Sequence, residues 1–184
     1  MKIQFIPVLL IFAIVQLGAV SPVFETPVPE EIKLHALINQ YRVSKGLAPI
    51  RLSKSLTYVA GIHAGDLGKN TPSGSCNMHS WSGDGAWSSC CYTGDHAKAS
   101  CMWNKPRELT DYPGNGYECS SMYSAGITAD EALSSWKGSP GHNAVIISQG
   151  IWSSHPWKSI GVGIRGNYAV IWFGEEEDPA GYWE

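Results

Sequence analysis

Apolar residues recur at helical spacing in two segments near the start of the chain. Residues 26–31 read Thr-Pro-Val-Pro-Glu-Glu, which is typical of a helix start, and Gly46 is a natural stop. Between them the apolar positions are Ile32, Leu34, Leu37, Ile38 and Tyr41. A second helix is expected after an N-cap at Ser53, with a face made of Leu56, Val59, Ala60, His63 and Leu67. The pattern therefore predicts two amphipathic helices.

Two further helices are predicted in the second half of the chain. Residues 128–131 read Thr-Ala-Asp-Glu, which fits a capping box, and the helix that follows is expected to stop at Gly138. Ser139 and Pro140 then restart a short helix that runs to Ile147.

Near the C-terminus, residues 159–165 and 168–174 alternate apolar and other residues around Gly166-Asn167, which predicts a β-hairpin. Residues 161–166 also match the G-x-G-x-x-G spacing of a dinucleotide-binding loop. That motif requires a helix after the strand, whereas another strand follows here. We interpret its glycines as positions where the strand twists or approaches another backbone. Residues 175–178 are interpreted as a solvated exit from the sheet.

In residues 68–126 the apolar positions follow neither a helical nor a strand period over any long stretch, and we interpret this segment as long loops with short strands. This segment holds every cysteine of the chain: Cys76, Cys90, Cys91, Cys101 and Cys119. Two disulfides and one unpaired thiol are the simplest state, and the neighbours Cys90 and Cys91 are not expected to pair with each other. The sequence leaves the connectivity open. We interpret residues 76–119 as an insertion stapled by disulfides.

Composition narrows the class of protein. The 184 residues are 43% hydrophobic and 16% charged, which fits one globular domain and excludes a mainly disordered chain. The formal net charge is -3 and no basic run occurs, which argues against a nucleic-acid partner. Five cysteines and eight tryptophans in a weakly charged chain favour an oxidising compartment.

Residues 1–21 are predicted to be a secretory signal peptide. Lys2 precedes an apolar run over residues 3–20, and the small residues Gly18, Ala19 and Ser21 favour cleavage over retention as a signal anchor. Cleavage leaves residues 22–184 as the mature domain, with no stable membrane span. We expect the protein to be secreted, or periplasmic in a Gram-negative bacterium.

Four polar residues are candidates for chemistry, although each also has an ordinary structural explanation. His79 and Glu118 lie in the irregular segment, Glu131 is also a capping-box partner, and His142 begins the short helix. Two imidazoles brought together by a fold can bind a divalent ion, and carboxylates can orient them or hold a proton. His63 is expected to be a half-buried, hydrogen-bonded histidine, which could also lie beneath a cleft. The other histidines are expected at the surface: His35, His96 and His155.

Several motifs occur in order along the chain. They are Asn77-Met78-His79-Ser80, Gly116-Tyr117-Glu118, Trp136-Lys137-Gly138-Ser139-Pro140-Gly141-His142 and Ile160-Gly161-Val162-Gly163-Ile164. This order resembles the CAP superfamily, which includes cysteine-rich secretory proteins, venom antigen-5 proteins, plant pathogenesis-related proteins and bacterial SCP-domain proteins. The resemblance runs from about residue 31 to residue 173 and is greater to the bacterial branch than to the animal one.

The resemblance implies an α+β fold, a three-layer α-β-α sandwich that forms a single CAP/SCP domain over residues 22–184. The family's cleft carries two histidines and two glutamates, which correspond here to His79, Glu118, Glu131 and His142. The chain departs from the family pattern in the Cys- and Trp-rich insertion and at Cys119, which replaces an asparagine. Cys119 could be a thiol nucleophile, but its clustering with four other cysteines favours a structural bridge.

Three functions fit these residues. The first, which we favour, is a secreted, non-enzymatic binding module whose cleft holds a divalent metal ion, most simply zinc, at His79 and His142. The second is a metal-dependent, peptidase-like hydrolase that uses Glu118 and Glu131. The third is a binder of lipid, sterol or glycan through aromatic residues of the insertion, which could instead pack as a small core around the disulfides: Trp81, Trp87, Tyr92 and Trp103. A protein partner is also open.

Overall fold

The structure is a computed structural model that describes residues 22–184. The predicted signal peptide, residues 1–21, lies outside the described residues. The elements follow one another in the order α1 Pro29–Ser44, β1 Arg51–Leu52, α2 Lys54–Lys69, α3 Ala99–Trp103, α4 Lys105–Leu109, β2 Tyr117–Met122, α5 Ala129–Gly138, α6 Pro140–Ile146, a 3-10 helix Gly150–Ser154, β3 Ser159–Arg165 and β4 Tyr168–Gly174. All four of the predicted helices are present.

Four strands form one sheet in the order β1-β3-β4-β2. β3 and β4 are the predicted hairpin, and Gly166 takes a φ of +57° in its turn, a conformation that glycine adopts without strain. β2 pairs antiparallel with β4, and the two-residue β1 pairs parallel with β3. β2 therefore brings the end of the irregular segment into the sheet.

Helices cover both faces of the sheet. α2 packs against β3 and β4 on one face, while α1, α5 and α6 cover the other. Trp136 of α5 is fully buried in the core on the α1 side, and Trp172 of β4 is fully buried in the core on the α2 side. The fold is therefore the three-layer α-β-α sandwich that the resemblance implies.

α2 lies directly on β3 because two residues of β3 that face it have no side chain. A Cβ added at Gly161 would lie 2.0 Å from the carbonyl carbon of Leu56, and one at Gly163 would lie 2.4 Å from that of Ala60. The interpretation of these glycines as positions of close backbone approach is confirmed. The same packing fixes the height above the sheet of His63, which is one turn beyond Ala60 on α2.

The insertion is held by the disulfides Cys76–Cys91 and Cys90–Cys101, which confirms the expected two bridges and one free thiol. Cys119 is the free thiol, and the expectation that it forms a bridge is wrong. It lies on β2 and is fully buried in the core beneath α1 and α5, away from the loop cysteines. Burial, with the charge of Glu118 adding to it, raises the pKa of the Cys119 thiol well above its ordinary value.

The segment after β4 returns to the body of the domain. Asp178 is buried, and its carboxylate accepts hydrogen bonds from the Ser53 hydroxyl at 2.6 Å and from the Ser55 amide and hydroxyl, each at 2.8 Å. The interpretation of residues 175–178 as a solvated exit is therefore wrong for Asp178. Its carboxylate satisfies donors at the start of α2 that have no partner within the helix.

Candidate functional site

A cavity of about 470 Å³ lies between the insertion, β2, α6 and the 3-10 helix. One part of its lining, which we call the polar group, contains His79, Glu118 and His142. Another part, which we call the apolar group, contains Met102, Trp103, Tyr117, Val145, Ile151 and Trp152. The fold thus brings three of the four predicted site residues to one cavity.

His79 connects the other two members of the polar group. Its Nδ1 lies 3.1 Å from Oε1 of Glu118, and its ring meets the ring of His142 edge to face, with 6.2 Å between the ring centres. Nε2 of His79 and both ring nitrogens of His142 make no hydrogen bond to any residue within 22–184. Both histidines therefore have a ring nitrogen that is available to a ligand.

His63 is a further site residue, in contact with Glu118 behind the cavity lining, and a place beneath a cleft is the alternative that the sequence left open for it. Its side chain is fully buried on α2, with Nδ1 2.8 Å from Oε2 of Glu118 and Nε2 2.9 Å from the carbonyl oxygen of Ser80. The contact between Nδ1 of His63 and Oε2 of Glu118 is not linear enough for a hydrogen bond, and neither atom has a hydrogen-bond partner among the described residues. The ring also stacks on Trp81 at 4.3 Å. The expectation of a half-buried histidine is therefore corrected.

Glu118 is ionised by its neighbours despite its burial. Burial raises the pKa of its carboxyl, but the charge of His63 and the hydrogen bonds of His63 and His79 outweigh that effect and lower the pKa to about 2. A carbonyl oxygen only accepts hydrogen bonds, so Nε2 of His63 must donate to Ser80. On the other side of the ring, Nδ1 of His63 faces Oε2 of the ionised Glu118 at 2.8 Å.

His142 is held in its neutral form. Burial, assisted by the neighbouring His79, lowers the pKa of His142, and the charge of Glu118 opposes this only in part. The neutral imidazole is the form that binds metal ions. The sequence places this ring through Pro140 in the first turn of α6, directly after the extended residue Ser139.

Glu131 lies apart from the other three candidates. Its Oε2 accepts hydrogen bonds from the amide of Thr128 at 2.9 Å and from the hydroxyl of Thr128 at 2.8 Å. This is the capping box at the start of α5, and Glu131 is not among the residues that line the cavity. Of its two interpretations, the capping role is the one that the geometry displays.

The cavity offers a metal ion two histidine ligands. Among residues 22–184, no group of three or more His, Cys, Asp and Glu side chains is arranged to hold a metal ion. His79 and His142, with 6.2 Å between their ring centres, are the residues that could hold an ion at this cavity.

The aromatic residues of the insertion mainly form a second core. Trp81 and Tyr92 are buried with Cys90, and Trp87 packs edge to face on Trp81 with 5.5 Å between ring centres. This is the alternative in which the aromatic residues pack around the disulfides. Trp103 and one side of Tyr92 still line the cavity.

The remaining histidines differ in exposure. His96 is exposed at the cavity, whereas His35 and His155 are half-buried, so the expectation of surface positions is wrong for those two. His35 contacts the carbonyl oxygen of Ile50 at 2.8 Å, and His155 lies 3.2 Å from Glu175.

Comparison with known proteins identifies the family. The model of the cysteine-rich secretory protein family, CAP, matches residues 35–164, which include His63, His79, Glu118 and His142. The chain belongs to the CAP family. No curated protein matches the CAP chain in sequence.

Solved structures of bacterial proteins share the CAP fold. An extracellular SCP-domain protein of Bacillus anthracis matches with a TM-score of 0.56 at 15% identity, over 80% of this chain and 40% of that one. A cysteine-rich secretory protein of Staphylococcus aureus matches with a TM-score of 0.50 at 16% identity, over 82% of this chain and 40% of that one. An outer surface protein of Borrelia burgdorferi matches with a TM-score of 0.55 at 17% identity, over 83% of this chain and 97% of that one. The CAP chain thus spans about 40% of the length of the first two proteins.

Within residues 22–184, no helix is both long enough and apolar enough to cross a membrane.

Proposed function

We propose that this CAP domain is a secreted binding module whose cavity holds a divalent metal ion, zinc first, between His79 and His142. The observation that carries the proposal is the convergence of two imidazoles with available nitrogens beside Glu118. A carboxylate that accepts a hydrogen bond from one nitrogen of a ligating histidine fixes the ring and its tautomer. Glu118 is placed to do this for His79.

Secretion is supported by three features. They are the apolar run over residues 3–20, two disulfides of the kind found in oxidising compartments, and fold neighbours described as an extracellular protein and an outer surface protein.

The same residues favour binding over hydrolysis. A general base works best when its pKa lies near the operating pH and when it can reach the proton that it removes. Glu118 has a pKa of about 2 and both oxygens occupied by imidazoles, and Glu131 is engaged at the start of α5. A bound zinc ion would supply positive charge and open positions for an oxygen atom of a ligand.

Calorimetric titration of the purified secreted protein with zinc tests the proposal. We expect one ion per chain, and an affinity at least about ten-fold lower in the His79→Ala/His142→Ala double variant, because both nitrogen ligands are removed. His35→Ala is the matched control, since this half-buried histidine of α1 contacts the Ile50 carbonyl instead. An unchanged affinity in the double variant contradicts the proposal.

A further inference from the structure

We infer that a second pocket, on the partly exposed face of α2, binds the terminal sugar ring of a neutral glycan. Its volume of about 280 Å³ lies just below the range of about 300–1,000 Å³ that drug-sized ligands occupy, which suits one sugar ring. No residue that lines it also lines the cavity of the candidate metal site, so the inference does not depend on the proposed function. We call it the α2 pocket, and its lining includes Gly65, Asp66, Lys69, Asn70, Asp84 and Trp87.

Trp87 is held in place by contacts within the protein. Its Nε1 donates a hydrogen bond to the carbonyl oxygen of Ser82 at 3.0 Å, and its ring meets Trp81 edge to face. Gly85 packs directly against the six-membered ring, where an added Cβ would lie 2.1 Å from Cη2. Trp87 is half-buried by these contacts and still lines the α2 pocket. A fixed indole ring offers a flat apolar surface on which the C–H groups of a sugar ring can stack.

The polar side chains of the pocket suit the hydroxyl groups of a sugar. Lys69 and Asp84 both line it, yet among residues 22–184 neither side chain forms an ion pair or a hydrogen bond. The ammonium group of Lys69 only donates hydrogen bonds and the carboxylate of Asp84 only accepts them. A hydroxyl group does both, so neighbouring hydroxyls of one sugar can contact the two side chains together. Asn70 donates from Nδ2 to Asp66 at 3.0 Å, which leaves its Oδ1 as a further acceptor.

The charges of the pocket favour a neutral ligand. Two carboxylates, those of Asp66 and Asp84, and one ammonium group, that of Lys69, line it. An anionic ligand would therefore meet an excess of negative charge. Asp66 is buried and accepts hydrogen bonds from the amide and the hydroxyl of Ser82, so its carboxylate is not free to bind a cation. An uncharged ring that carries hydroxyl groups avoids both problems.

The fold does not require a glycine at position 65. A Cβ added at Gly65 would meet nothing within 4 Å, in contrast to Gly161, where it would meet the backbone of α2. Glycine in the interior of a helix is less favourable than alanine. Its missing side chain leaves open space in the pocket that Trp87 lines, and this is the space that a sugar ring would occupy.

The α2 pocket continues along the helix into a neighbouring pocket. Gly61 and Ile62 line both the α2 pocket and a pocket of about 230 Å³ that reaches Tyr58 and Arg165. A substituent on the sugar ring therefore has a path along α2. The end of a longer glycan can occupy the α2 pocket as well as a free sugar can.

Saturation-transfer NMR of the purified secreted protein tests the inference with four probes: the methyl glycosides of glucose, galactose, mannose and N-acetylglucosamine. We expect at least one of them to bind, with a dissociation constant of about 1–10 mM. The uronic acid analogue of the best probe should bind at least about five-fold more weakly, because the carboxylates of Asp66 and Asp84 repel its charge. The free sugar should bind no more tightly than its methyl glycoside, since the substituent has a path out of the pocket.

Two glycines of α2 provide a matched pair of variants. Gly65 lines the α2 pocket and Gly68 does not, and nothing lies within 4 Å of a Cβ added at either position. Leucine is favourable in helices, so Gly65→Leu and Gly68→Leu should both fold, which circular dichroism checks. Gly65→Leu fills the pocket and should weaken binding of the best probe at least about ten-fold, whereas Gly68→Leu should leave its affinity unchanged. Trp87→Ala should weaken it at least about five-fold, through the lost stacking surface.

Four results would each overturn the inference. The first is that none of the four methyl glycosides binds at about 20 mM. The second is an equal affinity of the best probe for the wild type and for Gly65→Leu, because the probe then binds elsewhere. The third is equal binding of the best probe and its uronic acid analogue. The fourth is binding of free sugars without their methyl glycosides, which excludes the end of a glycan as the ligand.

Discussion

His63 and Glu118 form a contact with no exposed side-chain surface: Nδ1 of His63 lies 2.8 Å from Oε2 of Glu118. The pair joins α2, on one face of the sheet, to β2 at the sheet edge. The second oxygen of Glu118 meets His79 in the cavity, so the pair connects the helix layer to the candidate metal site.

Replacing His63 with phenylalanine should lower the free energy of unfolding by about 3–5 kcal/mol, because it leaves the buried, ionised carboxylate of Glu118 without its His63 partner. The aromatic ring can still stack on Trp81, so the variant removes mainly the polar contacts of His63 with Glu118 and Ser80. Urea unfolding monitored by tryptophan fluorescence measures the loss.

The double variant His63→Phe/Glu118→Leu provides the control. Because it also removes the buried carboxylate, it should be more stable than His63→Phe alone. If the losses of the two single variants simply add in the double variant, the two side chains are not coupled as the structure indicates.

The carboxyl of Glu118 should make the stability of the fold depend on pH in moderate acid. Its pKa falls from an ordinary 4.5 to about 2 in the folded protein, so it contributes fully to stability above about pH 4.5. That contribution is lost as the pH falls from about 4.5 towards 2, where the folded protein also takes up the proton. The slope of unfolding free energy against pH in this window, measured with a chelator present, should therefore be smaller for Glu118→Gln. Equal slopes for the two proteins would contradict an ionised Glu118.

A side chain at position 161 should separate α2 from the sheet. Gly161→Ala places a Cβ 2.0 Å from the backbone of Leu56, and neither backbone can move without disturbing the core. We expect a loss of about 3 kcal/mol or more in unfolding free energy. Gly65→Ala is the control, because nothing lies within 4 Å of its Cβ and alanine should stabilise α2 by about 0.5–1 kcal/mol. Equal effects at both positions would refute close packing at Gly161.

The two disulfides should be independent of each other. Cys76 and Cys91 are 15 residues apart, and closing a loop of that length contributes about 3 kcal/mol. The Cys76→Ser/Cys91→Ser variant should lose about that much stability and keep the Cys90–Cys101 bridge. Its thiol count in denaturant without reductant should be one, as in the wild type, because Cys119 alone is free. A count of three would show that the pairing is different.

Much of the fold is visible in the sequence because its signals are local. α1 and α2 are long enough to show a helical period, the start of α5 has a capping box, and Gly166 marks the hairpin turn. β1 has two residues and α3 has five, so neither is long enough to show a period. Their positions depend on the hairpin and on the disulfides, which come from other parts of the chain.

The candidate site was only partly predictable for the same reason. His79, Glu118 and His142 stand in short motifs, whereas His63 lies on the apolar face of α2 and resembles a core residue. Its partner is on β2, and no spacing in the sequence reports a contact across that distance. The one available signal was an ionisable side chain on an otherwise apolar helix face, which calls for a buried partner. The burial of Asp178 was not predictable for the same reason, because its hydrogen-bond partners lie far away in the sequence, at the start of α2.

Because Cys119 is buried, the one cysteine outside the two disulfides is protected from reaction. A thiol with no exposed surface and a raised pKa is not available to oxidants or to another chain while β2 stays in the sheet. A covalent dimer through Cys119 would therefore require the strand to detach first. Because a thiol reagent can reach Cys119 only when β2 opens, the rate at which the reagent labels the native protein measures how often the sheet opens at β2.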